Sequence, residues 1–279
     1  MSGLGPVITR AAAYLERHGV ESPRETAEIL LMNVLETDRA GLYARREPLG
    51  TEAARRFGRA LCQRCSGVPL QHLTGEQGFL DLVLTVRPGV FVPRPETEGL
   101  VLSALETLAG RTAPLIVDVG TGTGAVALAI KHARGDARVL AVDRSGDAVQ
   151  LARENADRLG LEVEVLAGDL LDPVPGELRG AVDLIVSNPP YIAPEEYADL
   201  PAEVRRDPYE ALVGGTDVHR RLGDAAPDWL RPGGWLALEI GDSQGEEVGS
   251  YLANSFSSVE VLPDLAGRDR VVRARWREA

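Results

Sequence analysis

Val117-Asp118-Val119-Gly120-Thr121-Gly122-Thr123-Gly124-Ala125 is the stretch on which the reading of the fold turns. Pro114 to Gly120 is an apolar run of strand length, and Ala125 to Ala133 carries a helical pattern. Glycines between a strand and a helix let the backbone turn tightly and let a ligand approach it. Downstream the pattern repeats. Arg138–Asp143, Val163–Gly168, Val182–Ser187, Trp235–Ile240, Val259–Leu262 and Arg270–Trp276 read as strands. Gly146–Leu159 and Asp217–Leu230 read as helices. Such alternation predicts an α/β domain with a mostly parallel sheet and helices on both faces.

Upstream of the turn the character changes. Residues 1 to about 75 read as helical. Ser22-Pro23-Arg24-Glu25 combines a capping serine, proline at the first helical position and glutamate at the capping-box position. Ile29, Leu30, Val34 and Leu35 then recur at helical spacing, and Thr51 can cap another helix reaching about Cys65. In residues 78–92, Phe79, Leu82, Leu84 and Val86 alternate loosely. Pro88-Gly89 predicts a turn before Val90-Phe91-Val92, so this segment reads as a β-hairpin linker. Arg94-Pro95-Glu96-Thr97-Glu98 opens a helix to about Leu108. The expected divisions are a helical domain over 1–75, the linker over 76–93 and the α/β domain over 94–279.

The ends of the first three strands carry ligand-binding chemistry. Asp143 closes the second strand, nineteen residues after Gly124. A carboxylate there can accept hydrogen bonds from both ribose hydroxyls of an adenosine group. Gly168-Asp169-Leu170 ends the third strand. Asp169 can accept an adenine amino group, and Leu170 can lie against the ring. Asp118 either helps to hold a cofactor's ammonium or stiffens the turn, and the first reading is slightly favoured. Gly120-x-Gly122-x-x-Ala125 satisfies the dinucleotide fingerprint, so NAD fits this turn. S-adenosylmethionine fits it too, with its amino-acid tail over Gly120, Thr121, Gly122, Thr123 and Gly124.

Asn188-Pro189-Pro190-Tyr191 at the end of the fourth strand separates the two cofactors. Ligands sit at the carboxyl ends of strands in open α/β sheets. Prolines lack N–H donors, so the backbone here presents mainly carbonyl acceptors. The Asn188 side-chain carbonyl and the Pro189 carbonyl can together accept both protons of a planar –NH₂. Tyr191 supplies a flat face for an amide or a base. This is the equipment of a methyltransferase acting on an amide or amine nitrogen, and a dehydrogenase has no use for it. Asn188, Pro189 and Tyr191 are the expected catalytic group, with Pro190 completing the substrate contact and Asn188 also bordering the cofactor.

Composition narrows the reading further. Of 279 residues, 44% are hydrophobic and 26% charged, as in globular proteins. No stretch of eighteen apolar residues exists, and Met1 to Arg10 lacks a secretory pattern. The net charge of −12 weighs against gripping a nucleic-acid backbone. Cys62 and Cys65 form a single C-x-x-C pair, short of the roughly four ligands of a zinc site. His18, His72, His132 and His219 show no ligand spacing, so no metal is expected. So few cysteines point to a reducing cytoplasm.

Beyond the turn and the tetrapeptide, the chain resembles the HemK/PrmC family, the protein-(glutamine-N5) methyltransferases of peptide chain release factors. The resemblance covers about residues 67–250. It is carried by Pro69-Leu70-Gln71-His72-Leu73-Thr74-Gly75, Pro93-Arg94-Pro95-Glu96-Thr97-Glu98, the Gly120–Gly124 turn, Asn188-Pro189-Pro190-Tyr191-Ile192 and Arg231-Pro232-Gly233-Gly234. Asn-Pro-Pro-Tyr alone also occurs in nucleic-acid adenine methyltransferases. The resemblance implies a Rossmann-like, seven-stranded class I methyltransferase domain behind a small N-terminal helical domain and a β-hairpin linker. It implies S-adenosylmethionine as cofactor and the glutamine of the release-factor Gly-Gly-Gln loop as substrate, with the helical domain helping to dock the release factor. It places Gly120 to Gly124 and Asp143 on the cofactor, Leu170 near the adenine and Asn188 to Tyr191 on the glutamine amide. The loop running from Gly214-Gly215 through Thr216-Asp217-Val218 is several residues shorter than the family's usual one.

Overall fold

The computed structural model describes residues 3–277. The chain divides into two compact units, Met1–Glu76 with Pro201–Arg206, and Gln77–Leu200 with Asp207–Ala279.

The first unit contains α1 (Gly5–Arg17), α2 (Pro23–Leu35), α3 (Arg39–Ala44), α4 (Thr51–Cys65) and α5 (Leu70–Thr74). Ile8, Ala11 and Leu15 of α1 recur at helical spacing and bury against Leu30, Leu31, Leu42 and Phe57. Ser22 does not cap α2 with its side chain. It sits in the left-handed region at φ 46, and its carbonyl accepts from Thr26 N at 2.9 Å. Thr51 is the first residue of α4, with Gly50 before it as the cap. Pro201–Arg206 enters this unit from far along the chain, which a boundary drawn at residue 75 does not capture. Arg64 pairs with Glu203 at 2.7 Å, and Arg206 Nη2 donates to the Ser66 carbonyl at 3.3 Å.

A two-stranded hairpin, β1 (Glu76–Phe79) and β2 (Leu82–Thr85), begins on the last residue of the first segment and belongs otherwise to the second unit. Its turn is Leu80-Asp81, with Leu80 at φ 48, and Val90–Val92 form no strand. The expected turn at Pro88-Gly89 therefore lies beyond the hairpin. A two-residue turn without glycine or proline carries no sequence signal.

The remaining elements are α6 (Thr97–Thr107), β3 (Leu115–Val119), α7 (Ala125–Ala133), β4 (Arg138–Asp143), α8 (Gly146–Leu159), β5 (Glu164–Ala167), β6 (Val182–Ser187), α9 (Tyr209–Leu212), α10 (Asp217–Ala225), β7 (Leu230–Glu239), α11 (Gly245–Leu252), β8 (Ser258–Pro263) and β9 (Asp269–Arg275). They build a seven-stranded sheet in the order β5-β4-β3-β6-β7-β9-β8. β3 to β7 pair in parallel, while β9 runs antiparallel to β7 and β8. Alternate strand residues face opposite ways. Ile116, Leu184 and Val186 bury under α6, α7 and α8, while Val117, Ile185 and Leu236 bury under α10 and α11.

α10 is shorter than the helix expected over Asp217–Leu230. Pro227 lies in a tight turn over Ala226–Asp228, and β7 begins at Leu230. Pairing with β6 jumps from Val182↔Leu230 to Leu184↔Trp235, so Arg231-Pro232-Gly233-Gly234 bulges. A Cβ on Gly234 would lie 2.9 Å from the Val182 carbonyl. From β3 the chain winds outward to β5 and then returns to β6 on the other side of β3. The carboxyl ends of β3 and β6 therefore flank the crevice where such sheets bind ligands.

Candidate active site

The turn after β3 is held by backbone and one carboxylate. Gly120 N and Thr121 N both donate to the Val142 carbonyl, at 2.8 and 3.0 Å. Gly122 N donates to Asp143 Oδ2 at 2.9 Å, and Ser145 N to Asp143 Oδ1 at 2.9 Å. Gly122, at φ 58, has nothing within 4 Å of where a Cβ would stand, so its outer face is open to a ligand. Asp118 is buried and faces inward. Its Oδ2 accepts from Thr121 Oγ1 at 2.6 Å and from Ala127 N at 3.1 Å, which stiffens the turn and favours that reading over ammonium binding. Burial pushes its carboxyl up to about 7.

Asn155, fully buried on α8, was not picked out from sequence. It donates to the Thr123 carbonyl at 3.0 Å and brackets Thr85 with a donor at 3.0 Å and an acceptor at 2.8 Å. A buried asparagine on an otherwise apolar helix face is the signal that could have found it.

The end of β5 joins the same crevice. Gly168 N donates to the Asp143 carbonyl at 3.0 Å. Asp169 Oδ2 takes Arg221 Nη2 at 2.5 Å, so an adenine amino group would meet its other oxygen. Leu170, half-buried, takes a left-handed backbone at φ 47.

The end of β6 is assembled from afar. Ser187 Oγ donates to the Val119 carbonyl at 2.7 Å, locking β6 to β3 just before the tetrapeptide. The Asn188 carbonyl faces Gly120, the Tyr191 carbonyl accepts from Gln244 Nε2 at 2.8 Å, and the Pro190 carbonyl lies against Gly214. A Cβ on Gly214 would come within 2.5 Å of that carbonyl, and Gly215 takes the left-handed region at φ 55, which together account for the paired glycines. The short loop is tied back by Gly214 N donating to the Ile192 carbonyl at 3.0 Å and by the Ile192↔Val213 bridge. The Pro189 carbonyl accepts no hydrogen bond among the described residues. The Asn188 and Pro190 carbonyls likewise accept none, so of the four only the Tyr191 carbonyl is engaged. Asn188 Nδ2 donates to Thr97 Oγ1 at 3.0 Å.

Charge around the tetrapeptide comes from three segments. Glu239, the last residue of β7, is 1% exposed, and burial pushes its carboxyl up to about 7. Burial, with Glu239 second, pushes the Tyr191 phenol up to about 12, so it stays neutral. Arg94 pairs with buried Asp207, which also accepts from Val92 N at 3.3 Å and so fixes the approach to α6. Thr97, Glu239 and Gln244 carry no ligand-binding signature of their own. A glutamate inside the apolar run Trp235–Ile240 was the available signal.

Comparison with known proteins finds relatives of both parts of the chain. Residues 7–75 match the model of the PrmC N-terminal domain, and residues 82–204 match the methyltransferase small domain. A release factor glutamine methyltransferase of Moorella thermoacetica is 45% identical over 99% of this chain and 98% of its own length. The chain belongs to the release factor glutamine methyltransferase family. Its relative in Deinococcus radiodurans is 44% identical, with 98% of each chain covered. Among solved structures, a T. thermophilus 16S rRNA methyltransferase, determined with AdoMet and guanosine, superposes with a TM-score of 0.55 at 24% identity. It covers 72% of this chain and 50% of its own. A methyltransferase of Pyrococcus furiosus superposes at 0.50 with 18% identity, over 82% and 100% of the two chains. These two share the fold with this family member.

Proposed function

We propose that this chain methylates the side-chain amide nitrogen, N5, of the Gly-Gly-Gln glutamine in peptide chain release factors, with S-adenosylmethionine as methyl donor. The observation that carries the reading is the pair of acceptors at the end of β6. The Asn188 side chain is held by Thr97 through its nitrogen, and the Pro189 carbonyl has no partner among the described residues.

The donor supplies an activated methyl group on a sulfonium. The chain supplies everything that orients the nucleophile. An amide nitrogen attacks poorly because its lone pair is delocalised into the carbonyl. Two acceptors on its protons fix the –NH₂ plane and stabilise the positive charge that grows on nitrogen. Productive attack needs the nitrogen held roughly 3–3.5 Å from the methyl carbon. Tyr191 supplies the flat surface against which the glutamine amide lies. No general base is needed before attack, because the proton can leave afterwards.

Gly120 to Gly124 and Asp143 hold the cofactor in this reading, and Asp169 and Leu170 border its adenine. The open face of Gly122 and the Asp143 carboxylate beneath it suit the cofactor's amino-acid tail and ribose. The helical unit docks the release factor, and a cytoplasmic location follows from that substrate. The net charge of −12 supports a protein substrate over a nucleic-acid one. Incubation with a release factor and S-adenosylmethionine, followed by peptide mass spectrometry, tests the proposal. A single methyl group on the Gly-Gly-Gln glutamine is expected. An unmodified glutamine under conditions of demonstrated cofactor binding overturns it, and methylation of bare DNA or RNA instead assigns the nucleic-acid alternative.

A further inference from the structure

An asparagine can turn either its carbonyl or its –NH₂ towards a substrate, and only the carbonyl suits an amide –NH₂. Nothing within Asn-Pro-Pro-Tyr decides which. Two buried side chains from distant segments do. Thr97 opens α6 and is 3% exposed; Glu239 closes β7 and is 1% exposed. Thr97 Oγ1 receives Asn188 Nδ2 at 3.0 Å. Pairing of Ser187 with Leu238 brings Glu239 alongside Asn188, and its buried carboxyl stands next to both Asn188 and Thr97.

An ionised carboxylate only accepts hydrogen bonds. With Glu239 ionised, the Thr97 hydroxyl turns its one proton to the carboxylate and offers a lone pair to Asn188 Nδ2, 3.0 Å away. One proton of Asn188 Nδ2 is then taken by Thr97, and the other faces the Glu239 carboxylate. The flipped amide would set its oxygen against the carboxylate, acceptor facing acceptor in a buried place. Glu239 Oε2 has no hydrogen-bond partner among the described residues, and Arg270 nearby pairs with Asp264 at 3.7 Å. The carboxylate's charge is thus not absorbed by a direct ion pair. Glu96 and the Tyr191 ring are the other groups around it.

We propose that Glu239, acting with Thr97, is a positioning residue that locks the Asn188 amide with its carbonyl turned to the substrate, and that its negative charge strengthens that carbonyl as an acceptor. A charge-assisted bond at the amide nitrogen draws electron density towards the amide oxygen. That oxygen is the one that meets positive charge as the substrate nitrogen is methylated. The identity of the substrate nitrogen rests on the glutamine-methylating function; the lock does not.

Two threonine variants separate a lock from a space-filler. Thr97→Val keeps the branched shape and loses the hydroxyl; Thr97→Ser keeps the hydroxyl and loses a methyl. The lock requires Thr97→Ser to retain at least about ten times the kcat of Thr97→Val, a hydrogen bond's worth of selectivity. A space-filling role requires the reverse order. Glu239→Gln should lower kcat by about a hundredfold, with a much smaller change in the KM for release factor. Hydrogen exchange of the Asn188 side-chain amide, assigned by its loss in Asn188→Ala, reads the lock without any substrate. Slow exchange of both protons is expected in the wild-type chain and fast exchange in Thr97→Val. Thr97→Val as active as Thr97→Ser, or wild-type exchange as fast as in an exposed asparagine, overturns the proposal. A wild-type chain that shows slow exchange but leaves release factors unmodified keeps the lock and defeats only the substrate assignment.

Discussion

The turn after β3 and the loop after β6 lie side by side at the carboxyl end of the sheet, yet they are built in opposite ways. The turn is nearly self-contained. Its glycines, Asp118 and Thr121 stand within ten residues, and Asp143 arrives from the next strand over. The loop has almost no local support. Thr97 holds it from α6, Gly214 packs on it from the loop before α10, Gln244 reaches it from just before α11, and Glu239 stands beside it at the end of β7. A cofactor cradle can be written as a short motif because backbone geometry does most of its binding. A substrate clamp cannot, because side-chain orientation needs partners from several elements.

This contrast makes different demands on mutation. The largest effect is expected for Asn188→Ala, which should lower kcat by about 10²–10³ by analogy with the loss of one preorganised transition-state contact. Calorimetry should find most of the affinity for S-adenosylmethionine retained. Equal losses in both would erase the division between cradle and clamp. Asp143→Ala should do the converse. Losing a charged acceptor for the ribose, and the partner of Gly122 N, should raise the cofactor Kd by about tenfold to a hundredfold. A fall in kcat at saturating cofactor with unchanged Kd would refute the assignment.

Gly214→Ala probes the clamp through its packing. The added methyl meets the Pro190 carbonyl at 2.5 Å, and backbone cannot yield as a side chain tip can. A loss of about tenfold in kcat/KM, with about 1–3 kcal/mol of stability seen in urea unfolding, is expected. Activity equal to wild type would show that the clamp tolerates displacement.

The smallest effect concerns Asp118. Its folded pKa stands near 7 against 3.8 for the free group. Between those values the folded chain binds more protons than the unfolded one, so this group's contribution to stability falls as pH rises. Asp118→Asn removes that contribution. The variant's urea midpoint should fall less than the wild type's between about pH 5 and about pH 8. Identical slopes would mean that the carboxyl is not held protonated by its burial.

Much of the fold was legible because local pattern and tertiary role coincide. The strands Arg138–Asp143 and Val182–Ser187 and the helices Ala125–Ala133 and Gly146–Leu159 occupy their expected bounds. Each is an apolar run or an amphipathic stripe that the sheet then covers. Misreadings cluster where neighbours override local preference. Ser22 looks like a cap and adopts a left-handed turn instead. Leu80-Asp81 turns the hairpin without a turn residue, while Pro88-Gly89 lies outside it. α11 is absent from the expected elements: its first turn is the exposed pair Glu246-Glu247, and only Val248 and Leu252 mark the side that buries.

By itself the sequence determined the alternating α/β plan, the glycine turn at Gly120–Gly124 with Asp143 at the end of the next strand, and the acceptor-rich chemistry of Asn188-Pro189-Pro190-Tyr191. These depend on periodicity, on positive-φ glycines and on residue type, all of which are properties of neighbours in the chain. Only the tertiary structure decided that Asn188 Nδ2 meets Thr97, that the Tyr191 carbonyl is taken by Gln244, and that Asp118 looks inward. Those outcomes depend on which buried donors and acceptors are brought together by strand order. Thr97 and Glu239 stand 142 positions apart in the sequence and meet only because α6 and β7 pack in the same domain.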